Sequence, residues 1–303
     1  MDHNFGKVAV LLGGTSNERE ISLQSGKAVL DALNRMDINA HPIDPKFYDL
    51  KNLKENFFNR VFICLHGKDG EDGKVQGILD EMNIPYTGSR KSSSEKGMDK
   101  LISKSIWRDN KLCTPEFLRV ESKNDYEKIV SILNLPFFIK PSNSGSSIGI
   151  NKVNSEKEFI RAFQEAIIID NNVIAEKMVV GREYTLPIVG KKILPIIEIQ
   201  TGTDFYNFAA KYTRDDTKFI CPTDLSKNII KEANEISLRA FNLLGCSGWG
   251  RIDFIIDGNN NIFIIEINTI PGLTSHSLVP ISANNAGMSF EELTIKILET
   301  SLA

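Results

Sequence analysis

The sequence predicts a mixed α/β and α+β chain: a parallel-sheet domain at the N-terminus, then two α+β domains. Three observations lead there. Residues 1–94 alternate strand-like and helix-like segments, the pattern of a parallel sheet flanked by helices. The residues after them mix short strands and helices without that regularity. Near the C-terminus, the run GWGRIDFIIDGNNNIFIIEINTIPG reads as a β-hairpin whose apolar strands also carry Arg, Asp, Glu and Asn. A length of 303 residues suits two or three domains, with expected boundaries at 1–94, 95–180 and 181–303.

In order, 7–12 reads as a buried strand and 22–33 as a helix with Ala28, Val29, Ala32 and Leu33 on one face. Strands follow at 39–43 and 60–65, with a short helix at 73–82. Polar 89–94 reads as a linker, and 95–110 as one helix with Met98, Leu101, Ile102 and Trp107 as its apolar set. The middle domain has strands at 117–120, 137–140 and 173–176 and helices at 125–133 and 159–166. The last domain has strands at 184–189 and 193–200, a helix at 229–244, the hairpin, and a final helix at 289–298. Between them, 201–221 is polar and without period, which marks a functional loop or lid.

The hairpin is the most informative stretch. Runs 251–256 and 262–267 flank the turn Asp257-Gly258-Asn259-Asn260-Asn261. If Asp257 pairs with Asn261, Asp253 falls opposite Ile265 or Glu266. Side chains two apart share a face, so Glu266 points with Asn268, and Arg251 points with Asp253. Neighbours such as Ile252, Phe254, Ile264 and Ile267 mark both strands as buried, where unpaired charge is costly. A hard divalent cation resolves the conflict, since carboxylate, amide and phosphate oxygens form the usual Mg²⁺ shell. The rival reading is a solvated hairpin face with an Arg–Asp pair.

Other motifs point to anions. LLGGTSNEREIS is a glycine turn between a strand and a helix, and Glu18 there can cap the helix or hold an ammonium. His66 ends another expected strand of the same sheet, so both reach the crevice where open α/β sheets bind ligands. In IKPSNSGSSIGI, Lys140 closes a strand and a Gly/Ser loop follows, a cradle for phosphates. It is not a Walker A loop, and no G-x-G-x-x-G is present; Asp44 lies too far along to serve as a ribose acid. In IAEKMVVGREYT, backbone edges beside Glu176, Lys177 and Met178 suit an adenine, and Glu183 suits ribose hydroxyls.

Bulk numbers exclude other classes. With 41% hydrophobic and 25% charged residues the chain is ordinary for a globular protein, and a net charge of -3 gives no basic surface for nucleic acid or an anionic membrane. No apolar run approaches a membrane span and no leader pattern is seen, so cytoplasmic residence is expected. Cys64, Cys113, Cys221 and Cys246 are dispersed and expected to be reduced. The four histidines have no zinc spacing.

Together, VAVLLGGTSNERE, LHGKDGEDG, YTGS, MDKL, IKPSNSGSSIG, AKYTRDDTKF, GWGRIDF and EINTIPGLTSHSLVP resemble the ATP-grasp superfamily and, within it, the D-alanine–D-alanine ligase family, in that family's order over nearly the whole chain. The resemblance implies an ATP-grasp architecture in which a pre-ATP-grasp domain precedes two domains that grip ATP. It implies that Lys100, Lys140 and Lys211 meet ATP phosphates, with Ser147 in the phosphate loop. Glu176, Lys177, Met178, Val179 and Glu183 would hold adenosine. Asp253, Glu266 and Asn268 would hold two Mg²⁺ (or Mn²⁺). Glu18 would receive the first D-alanine's ammonium, with His66 close by, and Ser146 and Tyr212 would link to Glu18. Arg251 and the Gly272 amide would stabilise an oxyanion; Ser277 and Leu278 would meet the second D-alanine. Partners implied are ATP, D-alanine and a second copy of the chain in a homodimer.

The family pattern is departed from at Met178, where a relative carries Trp, at Ser144, which replaces an acidic residue, and at Ile267 and Ile270, which replace smaller ones. These touch nucleotide affinity and loop stability and leave the charged constellation intact. The implied chemistry is conversion of a carboxylate to an acyl phosphate and attack by a second amine, with 201–221 as the lid. A D-alanine–D-lactate ligase, a non-catalytic nucleotide sensor and a nicotinamide dehydrogenase are the alternatives.

Overall fold

The structure, a computed structural model, describes residues 5–202 and 216–302. Strands β1 (Val8–Leu11), β2 (Ala40–Ile43) and β3 (Arg60–Ile63) form a parallel sheet in the order β2-β1-β3. Every residue of central β1 is buried, as its unbroken apolar run requires. Helix α1 (Arg19–Arg35) buries Val29, Ala32 and Leu33 beside this sheet. Because β2 and β3 lie on opposite sides of β1, the loops after β1 and β3 flank a topological switch point. Helix α2 (Lys74–Glu81) follows, and Tyr86 bridges in parallel to Val61.

Next come α3 (Lys91–Met98) and α4 (Lys100–Asp109), which correct the expectation of a linker and one long helix. Ser93 and Ser94 are buried; Ser93 Oγ donates to the Gly245 carbonyl at 2.6 Å, so tertiary contact holds a polar run helical. Asp99 is extended (φ -84, ψ 107) and breaks the run between the helices. The apolar set also differs from expectation. Helix α4 buries Lys100, Ser103, Lys104 and Trp107, while Ile102 is 45% exposed, because its inner face looks onto a polar cleft.

Strands β4 (Phe117–Val120), β5 (Phe137–Pro141), β6 (Asn151–Val153) and β7 (Val173–Lys177) form an antiparallel sheet in the order β4-β7-β5-β6. Helices α5 (Tyr126–Leu133) and α6 (Glu156–Ile169) supply Leu133, Phe159 and Ala162 to its core. The third sheet holds β8 (Gly181–Val189), β9 (Lys192–Ile193), β10 (Ile197–Gln200), β11 (Lys218–Ile220), β12 (Trp249–Asp257) and β13 (Ile262–Asn268). Its order is β11-β10-β8-β12-β13, with β9 on β8. The single strand expected at 193–200 is two, because Pro195 cannot donate to a ladder. Helix α7 (Lys227–Leu243) joins this core and accepts the Trp107 Nε1–H of α4 on the Ala240 carbonyl at 3.1 Å.

Helix α8 (Leu278–Asn285) was not foreseen; Pro280 sits in its first turn, where a missing N–H is harmless. Helix α9 (Phe290–Glu299) returns to α1: Leu293, Ile297 and Leu298 enter the core of the parallel sheet and Arg35 pairs with Glu291 at 2.8 Å. All four cysteines are unpaired. Among the described residues no helix is long and apolar enough to cross a membrane.

Asp99 is the joint between α3, α4 and the loop after β5. Its Oδ1 accepts from Leu101 N at 2.9 Å, Ile102 N at 3.1 Å and Ser142 Oγ at 2.7 Å. Asp99→Ala is expected to lower stability by about 1–2 kcal/mol, the size of a lost helix cap. A urea midpoint that falls at constant slope checks this, and an unchanged midpoint refutes it.

Candidate active site

A cleft opens between the second and third sheets. One chamber, about 80 Å³, is lined by Phe138, Lys140, Glu176, Val179, Ile255 and Ile265. A smaller chamber of about 20 Å³ continues past Glu266 to Lys100, Gly145, Glu71 and Asn268. The hairpin supplies both chambers through a break in register. Asp253 pairs with Glu266, but Phe254 pairs with Ile264, so Ile265 is an extra residue in a bulge. Both Ile265 and Glu266 therefore line the chamber, an apolar wall beside an acid. Sequence spacing left Asp253 opposite either residue; the bulge selects Glu266 as its partner.

The carboxylates are held by nearby cations. Arg251 donates Nε to Asp253 Oδ1 at 2.8 Å and Nη2 to Oδ2 at 2.7 Å. Thr185 Oγ1 at 2.5 Å and Asn268 Nδ2 at 3.0 Å complete the Asp253 shell. Lys100 Nζ lies 3.4 Å from Glu266 and donates to the Ser144 carbonyl at 2.8 Å. Two carboxylates and an amide on paired strands give hard oxygen donors. No cluster of three His, Cys, Asp or Glu suited to a metal exists among the described residues.

Deeper in the cleft, Glu176 on β7 is buried with two lysines. Lys140 from β5 meets its Oε1, and Lys104 from α4 lies 2.6 Å from its Oε2. Burial alone would raise the Glu176 carboxyl; Lys104 and Lys140 hold it below its ordinary value instead. Burial pushes Lys104 down to about 8 against the pull of Glu176. Sequence reading missed Lys104. The signal was its position one turn after Lys100, on the same face of α4.

The residues of β7 and its following loop that were expected to hold adenosine lie at this end. Glu176, Lys177, Val179 and Glu183 line the chamber, and Met178 is half-buried between them. The loop after β5 is anchored at its base by Ser142 on Asp99 and by Asn143 on Asp170 (N–H, 2.7 Å). At its tip, Ser146 (φ 52) and Ser147 (φ 57) both have positive φ, the left-handed backbone of a tight turn.

Glu18 directly precedes α1 but makes no side-chain cap bond. Its carboxylate lies between two glycines: a Cβ at Gly67 or at Gly145 would come 2.9 Å from Oε1. This close fit joins the parallel-sheet loops to the phosphate-type loop. Glu71 was missed by sequence reading. Its Oε2 accepts from Gly67 N at 2.8 Å and its Oε1 from Ile270 N at 3.4 Å, and withdrawal from water with Glu18 nearby raises its carboxyl.

His66 is a tie. Nδ1 lies 2.9 Å from the Ile270 carbonyl, so it carries the proton, and Nε2 accepts from Ser25 Oγ at 3.1 Å. Ser25 Oγ in turn accepts from Leu273 N at 3.1 Å. Both ring nitrogens are engaged within the protein, so His66 ties α1 to the segment after the hairpin. Nearby, Ser277 Oγ accepts from Thr274 N at 2.9 Å, and a Cβ at Gly272 would fall 2.9 Å from it. Leu278 packs with Ile197 and Ile199 and is the first residue of α8. Lys211 and Tyr212 lie outside the described residues, as does most of 201–221. A cavity of about 530 Å³ sits at the carboxyl end of the parallel sheet, with Gly13, Ser16, Leu65 and His66 in its lining.

Comparison with known proteins gives a consistent picture. The family model described as D-ala D-ala ligase C-terminus matches residues 106–299, and D-ala D-ala ligase N-terminus matches residues 45–89. The D-alanine–D-alanine ligase B of Chromobacterium violaceum is 45% identical over 296 residues, covering 98% of this chain and 98% of that protein. The crystal structure of D-alanine–D-alanine ligase from Bacillus anthracis complexed with ATP superposes at a TM-score of 0.84 with 31% identity, covering 98% of this chain and 97% of that one. The VanG D-Ala:D-Ser ligase from Enterococcus faecalis superposes at 0.85 with 29% identity, covering 97% and 99%.

Burial holds His66 down to about 4, against 6.5 when unfolded. The folded state therefore refuses a proton that the unfolded chain accepts. Its stabilising effect is complete above pH 6.5 and is lost as pH falls toward 4, by about 3 kcal/mol. Urea titrations of the parent and of His66→Asn between pH 7 and 4 check this. The parent is expected to lose stability more steeply; parallel curves refute it.

Proposed function

The chain belongs to the D-alanine–D-alanine ligase family, and we propose how its cleft joins two D-alanine molecules with ATP to make D-alanyl-D-alanine for peptidoglycan precursors. The observation that carries the reading is the hairpin: Arg251, Asp253, Glu266 and Asn268 stand together at the wall of a lysine-lined cleft. A carboxylate is a poor acyl donor. Phosphoryl transfer from ATP turns the first D-alanine into an acyl phosphate and leaves ADP; positioning and charge neutralisation dominate such a step.

In this reading Lys100 and Lys140 neutralise the phosphates while the amides around Ser146 and Ser147 cradle them. Ile265 and the β7 edge from Glu176 to Val179 flank the adenine, and Glu183 takes the ribose. Asp253, Glu266 and Asn268 would hold two Mg²⁺; their hard oxygens fit that ion, and phosphate oxygens and water would complete the shells. Bound there, Mg²⁺ would neutralise phosphate charge. Glu18 fixes the first ammonium, its carboxylate seated between Gly67 and Gly145 where the two loops meet. The second D-alanine attacks as a free amine, the carbonyl oxygen gains charge beside Arg251 and the Gly272 amide, and phosphate leaves. Ser277 and the first-turn amides of α8 suit the second carboxylate. Lys211 and Tyr212 belong to the lid that excludes water from the acyl phosphate. ATP as donor supports cytoplasmic residence. A homodimer is part of the same proposal, and sedimentation tests it.

A coupled assay with ATP and D-alanine is expected to release ADP and phosphate, with L-alanine inert; AMP and pyrophosphate would overturn the acyl phosphate route. Glu266→Gln is expected to keep the fold and to cut turnover sharply, because the amide preserves shape and removes charge. Near-parental turnover at low Mg²⁺ would remove Glu266 from the ligand set. With D-alanine and D-lactate in equal amounts, dipeptide is expected to dominate at pH 8, since Tyr212 adds no cation beside the incoming amine. Depsipeptide dominating at both pH 6 and pH 8 would overturn that account.

A further inference from the structure

Lys104 has no role in the mechanism above, yet it is the most deeply buried lysine of the cleft, at 0% exposure. Its ammonium has two fixed partners. Glu176 Oε2 lies at 2.6 Å, and Thr114 Oγ1 at 2.8 Å. Thr114 Oγ1 itself donates to the Ile264 carbonyl at 2.8 Å, beside the bulge. Lys104 is thus held from both sides of the cleft and is not among the residues lining the chamber. Lys140 differs: it shares the same carboxylate but lines the chamber, 5.4 Å from the Phe138 ring.

One carboxylate between two lysines leaves a surplus of positive charge in a dry place. A group in that position favours an arriving anion. Remove the deeper lysine, and Glu176 and Lys140 become an isolated neutral pair. Each would then be the other's only strong partner, and breaking such a pair strands a buried charge.

We propose that Lys104 is a positioning residue of the nucleotide site, holding Glu176 so that Lys140 is released to the phosphates of ATP. The inference rests on the nucleotide reading of this cleft. Lys104 works through Glu176: it keeps the carboxylate ionised and in place after Lys140 departs. The split between binding and turnover follows, because the exchange of partners occurs when nucleotide enters.

The test uses the whole chain with the nucleotide analogue AMP-PNP and Mg²⁺ in a calorimeter, and steady-state kinetics with ATP. Lys104→Met is expected to raise Kd for the analogue and KM for ATP about tenfold, with kcat at saturating ATP changed much less. In a Glu176→Gln background, the same substitution is expected to add no further loss. Affinity within twofold of the parent in folded Lys104→Met, or an equal loss in both backgrounds, overturns the proposal. Should Lys104→Met not fold, crystals of the parent with AMP-PNP decide. Lys140 Nζ off Glu176 with Lys104 Nζ still on it is the expected result; Lys140 remaining on Glu176 overturns it. A parent chain that binds no AMP-PNP overturns the nucleotide reading itself, and is thereby distinct from failure of the Lys104 step alone.

Discussion

The burial of Glu176 between Lys104 and Lys140 is the constraint around which the cleft is built. A charged carboxylate with 2% exposure is stable only when cations reach it. One cation comes from β5 of the same sheet. The other comes from α4, which packs on the opposite side through Trp107 and α7. The pair therefore ties the second sheet to the third across a space that stays open for a ligand. It also explains the polar inner face of α4, which helical periodicity alone would have turned outward.

The hairpin answers the same problem differently. Asp253 is 6% exposed and satisfied by Arg251, Thr185 and Asn268, three groups on three adjacent strands. Its position is rigid because β12 is paired on both edges, with β8 and with β13. The bulge at Ile265 then changes what the strand presents. An uninterrupted strand would alternate Ile265 and Glu266 between faces; the extra residue brings both to the cleft wall. An apolar surface and an acid thus come from adjacent positions.

The parallel-sheet end is joined to this cleft by short contacts. Glu18 fits between Gly67 and Gly145, so the loop after β5 and the loop after β3 approach the same carboxylate. His66 binds α1 through Ser25 and the segment after the hairpin through Ile270. Helix α9 closes on α1. The parallel-sheet end and the cleft are thus held in one frame.

The sequence by itself determined the strand–helix alternation of the first sheet, the hairpin, and the order of its charged residues. These follow from local periodicity, turn residues and the cost of burying charge, all of which act between near neighbours. Tertiary structure decided the rest. Whether residues 89–110 formed one helix or two depended on Ser93 meeting Gly245 and Asp99 meeting Ser142, partners far along the chain. Whether Asp253 faced Ile265 or Glu266 depended on a bulge that no spacing rule specifies. Lys104 and Glu71 stayed hidden because their partners, Glu176 and Ile270, lie tens to hundreds of residues away. Long-range pairing of buried charge carries no local signature, and only the folded chain brings it into being.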